Sequence, residues 1–337
     1  MKIFITGTSG FIGFHLSKKL LEKGHSVHGF DSMNKYYDVK LKKARLKILK
    51  KYKKFFFTKN QLENKKILSQ SILKFKPKII IHLAAQAGVR YSIENPKAYM
   101  DSNIIGTYNI IELAKKINIK HLLIASSSSI YGANKKIPFR EIDKTEAQLS
   151  IYAATKKSTE NIAHSYSNIW KLPITMLRLF TVYGPWGRPD MALFKFTKGI
   201  INKKKIDIYN NGKMYRDFTY IDDIVNGIMA LINKAPNLNQ LGKIKNDSLS
   251  TVAPFRILNI GNTKKVFLLD FINELEKQVG KKAIRNYMEM QKGDVKITLS
   301  NTSLLKKITR YNPKTDYKTG IKKFLEWYLF YYKKNNK

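Results

Sequence analysis

The sequence predicts an α/β protein, a doubly wound parallel sheet with a smaller mixed α/β lobe. Three observations carry that expectation. A glycine-rich turn joins the first β-rich run to a helical pattern. Strand and helix patterns then alternate as far as residue 180, and beyond it the pattern loosens into glycine- and proline-bearing loops. With 337 residues, 43% hydrophobic and 12% aromatic, the chain can bury a substantial core.

Lys2–Thr6 (KIFIT) is short and β-rich, and Gly7-Thr8-Ser9-Gly10-Phe11-Ile12-Gly13 follows it. Residues 14–23 read as a helix, with Leu16, Leu20 and Leu21 on one face and Gly24 placed to end it. Residues 26–30 read as a second strand ending in Asp31. Further strands are expected over 55–58, 79–83, 121–126, 174–180 and 256–260, and helices over 67–75, 98–118, Ile151–Trp170 and 221–233. After Phe180 come Tyr183-Gly184-Pro185-Trp186-Gly187-Arg188-Pro189 and helical stretches over 193–202, 269–279 and 320–332. Residues 234–253, rich in Asn, Leu and Lys, read as a surface insertion.

Strand, glycine turn, helix, strand and acid in that order form the βαβ dinucleotide fingerprint of a Rossmann domain. Gly7 permits the tight turn, Gly10 lets backbone approach a pyrophosphate, and Gly13 lets helix and strand pack closely. A glycine triplet alone is also found in ordinary strand–helix turns; the βαβ setting favours the dinucleotide. Asp31 can accept from adenosine ribose hydroxyls and would repel a 2′-phosphate, which points to NAD. Its plainer alternative is a helix cap or turn aspartate. Residues 1–180 are therefore read as the NAD-binding domain, with segments at about 216–233 and 255–262 returning to it, and 181–337 mainly as a substrate-binding lobe.

Composition excludes several classes. There is no cysteine, which removes disulfides, thiolate catalysis and cysteine–metal sites, and no metal is expected. No run approaches the length needed to cross a bilayer, and MKIFITGTSGFIG reads as a first strand and turn, not a secretory leader, so the cytoplasm is expected. The formal charge is +39, but 54 of the 63 basic residues are Lys, scattered over solvated positions such as Lys18, Lys42, Lys53, Lys115, Lys203, Lys264 and Lys322. A nucleic-acid binder needs localised, Arg-rich clusters, so no specific nucleic-acid partner is expected.

The chemistry is carried by Ser126-Ser127-Ser128-Ser129-Ile130-Tyr131-Gly132 and by Tyr152-Ala153-Ala154-Thr155-Lys156. Tyr152 and Lys156 fall on one helix face. A phenol is a poor base at neutral pH, and a neighbouring ammonium and a nicotinamide cation favour its phenolate. A serine at a strand end can share the same substrate oxygen. Alone, such a Tyr–Lys pair is usually a solvated helix face; after the glycine fingerprint and the serine-ended strand, the catalytic reading is preferred.

TGTSGFIG, HLAAQAGVR, SNIIGTYNIIELA, SSSSIYG, YAATKK, RLFTVYGPWGRPDMA, YRDFTYIDDI and QKGDV appear in order. From Lys2 to about Thr298 the chain resembles the extended short-chain dehydrogenase/reductases of the epimerase/dehydratase type. Its AAQAGVRYSIENP and RLFTVYGPWGRPDMA segments most resemble UDP-glucuronate 4-epimerases, including those of capsule synthesis. The resemblance implies Tyr152 as general base and acid, Lys156 as its electrostatic partner and ribose anchor, and Ser127 as the hydroxyl on the sugar 4-oxygen. It implies cofactor contacts from Gly7, Gly10, Phe11, Ile12, Gly13, Asp31, Gln61, Leu62, Leu83, Ala84, Ala85, Gln86, Asn103, Ser126, Tyr152, Lys156, Phe180 and Val182. Ser127, Ser128, Thr181 and Arg188, with Arg90 as a further basic candidate, would hold the sugar carboxylate. Arg216 would pair with the diphosphate and Asp294 with the uridine ribose. For Arg188, a loop salt bridge is the alternative. Gln61 stands where the family usually places an Asp against adenine, and Lys292 where a Pro is common.

The implied reaction removes the 4-OH proton as C4 hydride moves to NAD⁺, turns the 4-keto sugar, and returns hydride to its other face. A 4-keto-glucuronate loses CO₂ easily; related decarboxylases and dehydratases carry a Glu where this chain has Ser129, so simple epimerisation is favoured. UDP-glucose or UDP-N-acetylglucosamine epimerisation is the runner-up, followed by UDP-glucuronate decarboxylation and by an NAD-binding protein without turnover. A homodimer through helices 98–118 and Ile151–Trp170 is implied by the resemblance.

Overall fold

The computed structural model describes residues 1–335; the last two residues of the lobe expected over 181–337 lie outside them. In chain order the strands are β1 (Lys2–Thr6), β2 (Ser26–Asp31), β3 (Phe55–Lys59), β4 (Ile79–His82), β5 (His121–Ser127), β6 (Ile174–Leu179), β7 (Thr181–Tyr183), β8 (Lys205–Tyr209), β9 (Tyr215–Arg216), β10 (Phe218–Tyr220), β11 (Phe255–Ile260), β12 (Val266–Phe267) and β13 (Ile284–Met288). Seven of them form one parallel sheet in the order β11-β6-β5-β4-β1-β2-β3.

The strands are apolar on both faces, as a sheet covered twice requires. Alternate residues serve opposite cores: Ile3, Ile5, Ile79 and Ile81 pack on one side with helix Phe11–Glu22, and Phe4 and Ile80 on the other with helices Lys65–Phe75 and Gly106–Lys116. Connections run to opposite sides of β1, so the crevice opens at the C-terminal ends of β1 and β4, the switch point of such sheets. β11 returns from late in the chain to pair with β6. Beyond Leu179 the small pairs β7–β10, β9–β12 and β8–β13, with helices Ala192–Ile201, Leu268–Val279 and Tyr317–Asn335, build the second half. No helix among the described residues is long and apolar enough to cross a membrane.

Two expectations need correction, and one helix was not foreseen. The helix expected over 98–118 is interrupted by a π-helical turn, Met100–Ile105, between Pro96–Tyr99 and Gly106–Lys116; the wider turn contains buried Asn103. Helix Val39–Leu49 was not anticipated, because its alternation of Lys with apolar residues masks the period. Lys42 on that helix is buried, not solvated, donating to both the carbonyl (2.8 Å) and the side-chain oxygen (2.7 Å) of Asn34. Within 234–253, only Leu238–Gln240 is helical, and Asp247 anchors the segment through a buried ion pair with Arg256 (2.9 Å).

Candidate active site

The crevice is shaped by close backbone approach. Gly7 has φ +79°, and a Cβ there would lie 2.9 Å from the Ala84 amide nitrogen. A Cβ on Gly13 would lie 2.1 Å from the Gly7 carbonyl oxygen. Helix Phe11–Glu22 begins after Gly10 with no side-chain cap and no acid in its first turn, so Phe11 and Ile12 start a helix N-terminus suited to an anion. The Thr8 and Ser9 hydroxyls are buried there without a protein partner.

Asp31 lies at the end of β2, accepting from the Ser9 amide (2.9 Å) and the Met33 amide (2.8 Å). Burial raises its pKa; the Met33 hydrogen bond and Lys42 oppose that rise. The far wall is Leu83, Ala84, Ala85 and Gln86. Thr6 Oγ1 accepts from the Leu83 (3.1 Å) and Ala84 (3.0 Å) amides, with His82 beside it at 2.7 Å. Burial pushes His82 down to about 3. Asn103 fixes Gln86 by accepting from its amide (2.8 Å) and donating to its carbonyl (3.1 Å), and also donates to Thr155 on the catalytic helix (3.0 Å). Leu62 is buried against Gly106 and Gln61 is exposed. Cradle, helix N-terminus, orphan hydroxyls and terminal acid together fit a dinucleotide such as NAD.

Ser150 caps helix Ile151–Trp170 by accepting from the Ala153 amide (3.1 Å), which puts half-buried Tyr152 in the first turn and Lys156 one turn on. Ser127 ends β5; its oxygen accepts from the Ser129 amide (3.2 Å), and its hydroxyl faces the Tyr152 phenol. The Tyr99 ring meets the Tyr152 ring edge-on, centroids 6.0 Å apart. Burial raises the phenol pKa, against the lowering effects of Ser127 and Arg188. The Lys156 ammonium donates to the Ala125 carbonyl (2.9 Å), and burial pushes it down to about 8 against the opposing charge of Glu160.

Ser126 gives its hydroxyl to Glu160 (2.7 Å), not to the crevice. Glu160 forms a buried two-pronged pair with Arg178 (3.0 and 2.9 Å), which also donates to Tyr131 (3.1 Å). Phe180 packs beside Tyr131, and Val182 is buried one strand further on.

Arg188 forms a two-pronged pair with Asp190, whose carboxylate also accepts from Tyr36 (3.2 Å). The loop-salt-bridge alternative therefore describes its present partner, while its charge still acts on Tyr152. Arg188 and half-buried Thr181 line a small cavity of about 30 Å³ with Phe11, Val182 and Phe218. Half-buried Ser128 opens the short helical turn after Ser127. Arg216 pairs with Asp294 (2.9 Å). Arg90 is exposed, its guanidinium over the Tyr209 ring at 5.0 Å. Among the described residues, no three His, Cys, Asp or Glu side chains gather as a metal site. Sequence reasoning missed Tyr36, Arg45, Tyr99, Asp190 and the Glu160–Arg178 pair. For Arg45 and Arg178 a signal existed: in a chain where Lys predominates, an Arg is the exception.

Residues 4–324 match the family described as GDP-mannose 4,6 dehydratase. Protein CapI of Staphylococcus aureus is 53% identical over 336 residues, covering 99% of this chain and all of CapI. UDP-glucuronate 4-epimerase 1 of Arabidopsis thaliana is 45% identical over 342 residues, all of this chain and 79% of the plant protein. The crystal structure of UDP-glucuronic acid 4-epimerase from Bacillus cereus, in complex with UDP-glucuronic acid and NAD, superimposes with a TM-score of 0.86 at 32% identity, over 97% of this chain and 98% of the other. The chain therefore belongs to the GDP-mannose 4,6 dehydratase family of extended short-chain dehydrogenase/reductases, among relatives named as UDP-glucuronate 4-epimerases.

Proposed function

We propose that the chain is an isomerase that converts UDP-glucuronate to UDP-galacturonate through a 4-keto sugar, with NAD as cofactor. The observation that carries this reading is that Arg188 lines one cavity with Thr181 while its charge, like the Ser127 hydroxyl, acts on Tyr152: a guanidinium within electrostatic reach of the expected base suits a sugar bearing a carboxylate. The likeness to proteins named as UDP-glucuronate 4-epimerases supports it. The product would feed capsule or surface polysaccharide synthesis.

Tyr152 takes the proton of the sugar 4-OH and later returns it, while Ser127 holds the same oxygen. Bound NAD⁺ supplies a hydride acceptor that becomes the donor on the return. Lys156 would anchor the nicotinamide ribose. Ser127, Ser128, Thr181 and Arg188 hold the carboxylate, with Arg90 as an outer basic group, and a carboxylate so held is disfavoured from leaving as CO₂. Arg216 keeps the diphosphate tethered while the keto sugar turns, and Asp294 takes the uridine ribose. Asp31, Gln61 and the glycine turn serve NAD in the domain read over 1–180, and 181–337 mainly serves the sugar nucleotide.

The test is incubation with UDP-glucuronate followed by NMR. UDP-galacturonate as product is expected, a UDP-pentose would make the protein a decarboxylase, and turnover of UDP-glucose alone would remove the carboxylate site. Arg188→Ala is expected to impair glucuronate far more than glucose; equal losses would sink the role given to Arg188. A homodimer is also proposed. Met100, Ile105 and Tyr108, with Ile151, Ile169 and Trp170, leave exposed apolar surface on the two neighbouring helical segments. A monomer by light scattering would remove that claim. The cytoplasm is the proposed compartment.

A further inference from the structure

We propose that Arg45 is a positioning residue for Arg188: a buried strut that ties the loop bearing Arg188 to the glycine turn, fixing where the substrate's anionic group is received. This rests on the reading that Arg188 takes the substrate carboxylate. Arg45 projects from helix Val39–Leu49 and is fully buried at 0% exposure. Its Nη1 donates to the Ser9 carbonyl (2.9 Å) and to the Tyr37 hydroxyl (2.9 Å). Its Nη2 donates to the carbonyls of Trp186 (2.5 Å) and Gly187 (3.3 Å). One planar group thus joins the turn after β1 to the residue immediately before Arg188.

No carboxylate among the described residues pairs with Arg45, and its Nε has no partner. A buried guanidinium satisfied mainly by main-chain carbonyls of two distant segments acts on the loop through geometry, while its charge also reaches the buried carboxylate of Asp31. Its fixed fork can bridge both segments at once, whereas an ammonium is a single point donor.

The loop it holds needs holding. Trp186 has φ +60°, a left-handed conformation that bulky side chains rarely adopt. Its ring is wedged between Phe14 (5.5 Å) and Trp327 (5.3 Å), and the preceding Pro185 carbonyl lies 2.9 Å from His15 Nε2. Side-chain packing fixes where the loop lies; Arg45 fixes the orientation of the two peptide units before Arg188.

The experiment is a double-mutant cycle with Arg45→Lys and Arg188→Ala, both made on Tyr152→Phe holoenzyme so that ligand binding is read without turnover. Calorimetric Kd values are taken for UDP-glucuronate and UDP-glucose, with NAD content determined on each variant. Arg45→Lys is expected to weaken UDP-glucuronate about tenfold, a coupling typical of residues in one network. It should leave UDP-glucose within about twofold, and should add little once Arg188 is gone. Equal weakening of both ligands, or an undiminished effect in the Arg188→Ala background, would overturn the strut. If Arg188→Ala alone does not separate the two ligands, the carboxylate reading falls instead. Hydrogen exchange at the amides of Gly187, Arg188 and Asp190 supplies a second readout: faster exchange in Arg45→Lys with NAD retained is expected, and unchanged exchange refutes the proposal.

Discussion

Replacing Glu160 by Gln tests how the scaffold tunes the catalytic helix. The carboxylate is 2% exposed, as is its partner Arg178, and it holds that guanidinium by two hydrogen bonds while accepting from Ser126. Breaking such a buried pair by neutralising one side costs about 3–5 kcal/mol. For 337 residues the unfolding entropy is about 0.7 kcal/mol per degree, so Tm should fall by about 4–7 °C. A second effect has a definite sign. Burial already pushes Lys156 down to about 8, and Glu160 is the charge opposing that fall. Without it, the ammonium loses its proton at lower pH, and a reaction that needs Lys156 protonated loses activity at lower pH too. Scanning calorimetry and a pH profile of kcat for UDP-glucuronate epimerisation read the two effects separately. A lower Tm with the alkaline limb unmoved would show that Glu160 only braces the fold and does not tune Lys156.

The remaining predictions concern the turn and a buried acid. Gly13→Ala places a methyl 2.1 Å from the Gly7 carbonyl oxygen, so the turn must shift, and the purified variant is expected to lack NAD. Gly24→Ala, where φ is +79° but space is open, should cost about 1 kcal/mol and keep its NAD; equal NAD loss in both would mean that the turn's close packing is not what matters. Burial raises Glu141 from 4.5 to about 7. The folded state therefore holds more protons between those values, and stability falls as pH rises through that window. Glu141→Gln removes that dependence: its Tm should exceed wild type at pH 8 and approach it near pH 4.5, and a constant difference across the range would refute the assignment.

Much of the fold was legible because the parallel sheet writes itself as short apolar runs. KIFIT, ending at a glycine turn and followed by a leucine-faced helix, becomes β1 and helix Phe11–Glu22 with little shift in bounds. What escaped depends on tertiary contact. No local pattern distinguishes a straight helix from the π turn at Met100–Ile105, which places Asn103 against Gln86 and Thr155 far away in sequence. Helix Val39–Leu49 buries Lys42 and Arg45, so reading its charges as solvent-facing hid it.

The candidate site divides along the same line. Ser127, Tyr152 and Lys156 could be named because their spacing on a strand end and a helix turn is local. Which cation acts on the phenol could not, since Lys156 turns to the Ala125 carbonyl while Arg188 arrives from a loop beyond the sheet. The composition still held a clue. Only nine of the 63 basic residues are Arg, and Arg45, Arg178 and Arg256 are buried while Arg188 and Arg216 are half-buried. Arg178, Arg188 and Arg256 each grip one carboxylate with two nitrogens, and Arg45 spans two chain segments. Those are tasks for a planar fork, which Lys cannot perform. In a chain whose surface accepts Lys almost everywhere, the buried and half-buried Arg residues mark places where geometry constrains the choice, Arg45 and Arg188 among them, whereas Arg90 and Arg310 are exposed.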